Sequence, residues 1–110
     1  MKLLVCGSRS IKDFDLSAYI PDECDMIITG GAKGIDTLAE KYADTHGIPK
    51  TVVLPDYEKY GKAAPILRNE QMVDMADRVL AVWDEVSSGT KYAVDYAAKQ
   101  NVPVTLITPI

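Results

Sequence analysis

An α/β fold, with a five-stranded, mostly parallel sheet covered by helices on both faces, is what this sequence predicts. Three observations carry that expectation. Short apolar runs alternate along the chain with stretches of helical periodicity, the pattern of repeated βα units. Glycine-marked loops follow several of the apolar runs. Two joints, His46-Gly47-Ile48-Pro49 and Gln100-Asn101-Val102-Pro103, share one chemistry: a residue tolerant of left-handed backbone, an aliphatic residue, a proline, then a strand of β-branched residues.

Residues 3–6 form the first strand candidate, followed by a weak helical turn near residues 16–20. The apolar opening stops at Gly7-Ser8-Arg9, too soon for a secretory leader, so it reads as a strand. Residues 26–29 form the second strand. Ile35, Leu38, Ala39, Tyr42, Ala43 and His46 then recur on one helical face, with Gly47 and Pro49 as the stop. The third strand is expected at residues 51–54. A polar, aromatic segment at 55–63 leads into a helix from about 65 to 76. The fourth strand spans 79–83. Ala93, Val94, Ala97 and Ala98 mark the last helix, and residues 104–107 the fifth strand.

The 110 residues are expected to form one domain. No apolar run approaches the ~20 residues of a membrane span. Cys6 and Cys24 are far apart and show no metal-ligand spacing, so no metal or cofactor is expected, and the chain reads as cytoplasmic. Net charge is −4, from 12 basic and 16 acidic side chains. That balance disfavours broad nucleic-acid binding, which needs a basic face. It is compatible with a local cationic pocket for one small anion.

The run Thr29-Gly30-Gly31-Ala32-Lys33-Gly34-Ile35-Asp36 is the densest chemical signal. Glycines between a strand and a helix let main-chain amides approach a ligand, with the positive end of the helix dipole behind them. Lys33 at a helix N-terminus opposes the dipole unless an anion is bound. Arg9 after Gly7, Lys62 after Gly61 and Lys91 after Gly89 repeat the pairing of glycine with a cation. Ser8 and Arg9 suit a ribose-phosphate; Gly89 with Ser88 and Thr90 forms a second anion seat or a helix cap; Trp83 packs or stacks on a base. Asp36 orders its loop or accepts from a ribose hydroxyl. The motif is not a P-loop, because no Gly-Lys-Ser/Thr ending is present, and no GxGxxG follows the first strand.

Taken together, Gly7-Ser8-Arg9, the Gly30–Asp36 run, Gly61-Lys62 with Arg68-Asn69 and Met72, Trp83-Asp84, and Ser88-Gly89-Thr90 resemble the SLOG superfamily. The likeness is closest to its small stand-alone branch. The resemblance implies a Rossmann-like domain that binds a nucleotide or nucleotide-derived phosphate ligand as a homo-oligomer. It implies ligand contacts at Gly7, Ser8, Arg9, Gly30, Gly31, Ala32, Lys33, Gly34, Asp36, Lys62, Arg68, Asn69, Trp83, Ser88, Gly89 and Thr90. Three functions stay open: a binding or sensing module, a LOG-like nucleoside-monophosphate phosphoribohydrolase, and an Smf-like DNA-processing accessory protein. The LOG hydrolases carry a glutamate shortly after the threonine that Thr90 matches; Lys91, Tyr92 and Ala93 follow here instead. Glu70, Asp56, Asp84 and Glu85 are the remaining carboxylates considered for acid–base work, with no basis in sequence for choosing among them.

Overall fold

The computed structural model describes residues 1–109. Its sheet has five strands, all parallel, in the order β3-β2-β1-β4-β5. They are β1 (Lys2–Gly7), β2 (Met26–Thr29), β3 (Lys50–Val52), β4 (Arg78–Val82) and β5 (Val104–Ile107). The helices are α1 (Ile35–Thr45), the short α2 (Tyr57–Tyr60), α3 (Ala64–Met75) and α4 (Ser88–Lys99). The fold is α/β and Rossmann-like. Neighbouring strands point the same way because helices return the chain, as parallel pairing requires.

Side chains alternate across each strand, which makes two cores. Leu3, Val5, Ile27, Leu80 and Val82 face α1 and pack on Ile35, Ala39 and Ala43. Leu4, Cys6, Ile28, Val79 and Ala81 face the other way, onto Met72 and Val73 of α3 and Ala93 and Ala97 of α4. Burial on both faces explains why the strands read as unbroken apolar runs.

The helix-stop joints behave alike: Gly47 and Asn101 both take left-handed backbone, at φ 65° and 59°. The expected helix near residue 16 is a single 3-10 turn, Leu16–Ala18, with Asp15 accepting from the Ser17 amide. β3 begins one residue earlier than expected and its strand geometry ends at Val52. The Val53 amide still bonds to the Thr29 carbonyl, but Leu54 turns outward at 66% exposure. The 55–63 segment is partly helical: Asp56 accepts from the Lys59 amide to cap α2, and Gly61 at φ 57° turns the chain toward α3.

Candidate functional site

The sheet order reverses between β1 and β4. The chain leaves β1 toward β2 and leaves β4 toward β5, so the two loops diverge and a cleft opens between them. A cavity of about 500 Å³ lies there. Close packing beneath it demands glycine. A Cβ on Gly7 would sit 2.5 Å from both the Ile35 side chain and the Val82 carbonyl. A Cβ on Gly34 would meet the carbonyl oxygens of Ser8 at 2.5 Å and Arg9 at 2.8 Å. The start of α1 is therefore seated directly on the Ser8–Arg9 backbone.

Asp84 organises one wall. Its Oδ1 accepts from the amides of Val86 (2.9 Å) and Ser87 (2.8 Å). Its Oδ2 accepts from the hydroxyls of Ser10 (2.8 Å) and Ser87 (3.0 Å). These donors, the Ser87 amide first among them, hold its carboxyl well below the usual range. The Asp84 amide in turn donates to Ser8 Oγ at 2.9 Å. Glu85 reaches the required turn in left-handed backbone, φ 68°. The Trp83 indole braces the same loop by donating to the Ser87 carbonyl at 2.9 Å.

Ser87, not Ser88 or Thr90, occupies the N-cap of α4, and it makes no side-chain cap bond because its hydroxyl serves Asp84. The first-turn amides of α4 are thus left for the cleft, with the positive end of the helix dipole. Thr90 lines the cavity, is 6% exposed, and its hydroxyl has no hydrogen-bond partner among the described residues. Ser8 is 1% exposed; its oxygen accepts from Asp84, while its proton has no acceptor among the described residues. Arg9 lines the same space and forms no ion pair there.

The opposite wall carries two buried charged side chains, Arg68 and Asp36. Arg68 of α3 donates from Nη1 to the Gly30 carbonyl at 2.8 Å and to that of Val53 at 3.4 Å. Its Nε donates to Asn69 Oδ1 at 3.0 Å, and Asn69 Nδ2 reaches the Gly89 carbonyl at 3.4 Å. Burial pushes the guanidinium pKa down, and Asp36 acts in the other direction. Asp36, in the first turn of α1, accepts from the Ala32 amide at 3.1 Å through Oδ2. Burial pushes its carboxyl up, against the Ala32 amide and the Arg68 charge. Gly30 separates the two groups: a Cβ there would lie 2.7 Å from Arg68 Nη1 and 3.0 Å from Asp36 Oδ2.

The cavity thus brings together Gly7, Ser8, Arg9, Ala32, Asp36, Arg68, Asn69, Ser88, Gly89 and Thr90. Gly30, Gly31 and Gly34 shape the loop beside it without lining it. Lys33 and Lys62 are exposed and Trp83 is half-buried, all three outside the lining. The structure answers part of the α1 loop internally, since the Asp36 carboxylate already takes the Ala32 amide. Gly89 lies inside α4 rather than in a loop before it. Ser10, Ser87, Pro65 and Ala93, which are not among the ligand contacts expected from sequence, also line the cavity. Of the carboxylates considered, only Asp84 reaches it; Glu70 accepts from the Tyr92 hydroxyl on the far side of its helix. Cys6 forms part of the floor, its thiol pushed up to about 12 by burial. Among the described residues no group of His, Cys, Asp and Glu could hold a metal ion, and no helix is long and apolar enough to cross a membrane.

Comparison with known proteins places this geometry. A family model described as the YspA, cpYpsA-related SLOG family matches residues 1–60, which include the Ser8–Arg9 loop and the Gly30–Asp36 run. The Gene 61 protein of Mycobacterium phage D29 is 31% identical over 116 residues, covering 94% of this chain and 93% of that protein. No solved structure matches significantly. The matched segment covers more than half of the sequence and the phage relative nearly all of it, so the chain belongs to the YspA, cpYpsA-related SLOG family.

Proposed function

We propose that the protein binds a nucleotide or nucleotide-derived phosphate ligand in the cleft between β1 and β4, as a binding or sensing module. The observation that carries this reading is the donor set at the start of α4. Open helix amides, the unpartnered Thr90 hydroxyl, the free Ser8 proton and Arg9 converge on one cavity. An anion is the ligand that answers several donors at once. A helix N-terminus adds the dipole to that attraction. The expectation from Lys33 places the phosphate on the α1 loop instead. Ligand contacts at Gly30, Gly31, Lys33, Gly34, Lys62 and Trp83 belong to that alternative placement within the same reading.

Two variants separate the placements. Arg9→Ala is expected to weaken binding of a nucleoside 5′-monophosphate about ten- to hundred-fold by calorimetry, the range for a hydrogen bond to a charged group. Lys33→Ala is expected to leave it within about two-fold, since Lys33 lies outside the cavity lining that Arg9 joins. The reverse pattern would move the phosphate to the α1 loop. Hydrolysis is disfavoured: Lys91, Tyr92 and Ala93, which directly follow Thr90, supply no carboxylate, and Asp84 has its lone pairs filled. Homo-oligomerisation belongs to the same proposal. Its support is the exposed Val52, Leu54 and Tyr57 by the β3 edge, and light scattering tests it.

A further inference from the structure

Asp36 is the one carboxylate on the cavity that is buried and incompletely satisfied. It is 6% exposed and lines the space. Oδ2 takes the Ala32 amide; Oδ1 accepts no hydrogen bond among the described residues. The Gly30 amide and the Thr29 hydroxyl also lie near the carboxylate and pull its pKa down, although the buried Thr29 Oγ1 closes no hydrogen bond of full geometry. Asp36 faces the cleft, and burial pushes its carboxyl pKa up. A donor carried by whatever fills the cleft would complete its hydrogen bonding. Asp84, the other carboxylate there, has no such vacancy, because four protein donors occupy it.

Position narrows what that donor is. Gly34, two residues before Asp36, packs on the carbonyls of Ser8 and Arg9. Asp36 therefore sits near the Arg9 loop, on the wall across the cleft from the start of α4. In a nucleotide, one methylene joins the phosphate ester to the sugar ring, and the sugar carries two neighbouring hydroxyl donors. A carboxylate can accept from both. We propose that Asp36 binds the ribose 2′,3′-diol, so that the site selects ribonucleotides over 2′-deoxyribonucleotides. The proposal rests on the nucleotide-binding reading above and goes beyond it by naming the sugar.

The test compares matched 5′-monophosphate pairs by calorimetry: AMP with dAMP, GMP with dGMP, CMP with dCMP and UMP with dUMP. For the base that binds, the ribose form is expected to bind about ten- to hundred-fold tighter, because a lost bond to a charged group leaves that group unpaired. In Asp36→Asn that ratio is expected to fall toward one. Equal affinity within the wild-type pair overturns the diol assignment while leaving nucleotide binding intact. The same holds if Asp36→Asn weakens both forms equally, since Asp36 would then be reading another part of the ligand. No binding by any pair overturns the nucleotide reading and this proposal together. The wild-type comparison decides the matter even if the variant does not fold.

Discussion

Asp84 shows how one side chain can fix a wall of the cleft. It ties Ser10, beyond β1, to Val86 and Ser87, beyond β4. Its folded pKa lies below the ordinary carboxylate value, so its contribution to stability is present above that value and is lost as pH falls through the folded pKa. Asp84→Asn turns one acceptor into a donor facing other donors. The Tm gap between wild type and Asp84→Asn should therefore be widest near neutral pH and narrow as pH is lowered into the acid range. A gap independent of pH would mean that the carboxylate charge is not what the loop uses. Gly30 supplies a second residue-scale test. Gly30→Ala drives a Cβ to 2.7 Å from the buried Arg68 Nη1 and should cost about 1–3 kcal/mol in denaturant unfolding, the usual penalty of overpacking. Gly30 was legible in the sequence as a loop glycine. Its reason was not, because Arg68 lies 38 residues away and only the folded chain brings its guanidinium to the Gly30 carbonyl. The surroundings of Lys33 are hidden for a related cause: sequence shows a cation next to glycines, but not that the chain's own carboxylate occupies the neighbouring amide.

Among the elements, α3 and α4 are strapped together along their exposed side. Tyr92 donates to Glu70, and Tyr96 donates to Asp74 at 2.9 Å. Both pairs are spaced four residues apart on their helices, so they face each other as two rungs. The pairing matters for the site because α3 carries Arg68 and Asn69 while α4 carries the open N-terminus. The hydrogen bond to Glu70 raises the Tyr92 pKa above its usual value. Replacing Glu70 with Gln removes the charge and should bring one tyrosine back toward ordinary ionisation in an ultraviolet pH titration; an unchanged titration would show that the rung does not form in solution. The helices themselves were largely readable. The 65–76 expectation differs from α3 by one residue at each end. The start of α4 lies at a Ser87 cap rather than at the Ser88 or Thr90 cap expected, since Ser88-Gly89-Thr90-Lys91-Tyr92 has no apolar periodicity to announce a helix. Its first turn answers to the Asp84 turn and the Ser87 cap, which depend on Glu85 adopting left-handed backbone.

For the whole molecule, the alternation of strands and helices revealed the class but not the order of strands. The order decides the site, because placing β1 beside β4 puts Ser8 against Asp84 across 76 residues of sequence. The cleft is consequently shared: Arg9 and Asp36 come from the first half of the chain, Arg68 and Thr90 from the second. A ligand that touches both halves binds the native state and has no equivalent site on the unfolded chain, so it must stabilise the whole fold. At a hundred times its Kd, such a ligand adds ~2.7 kcal/mol. For a domain near this size that corresponds to a rise in Tm of roughly 10 °C. The nucleoside lacking the phosphate should give a much smaller rise at the same concentration, because it leaves Arg9 and the α4 amides unanswered. Thermal unfolding followed by circular dichroism is sufficient to compare them. Equal shifts from nucleoside and nucleotide would show that the start of α4 is not an anion seat, whatever else the cleft holds.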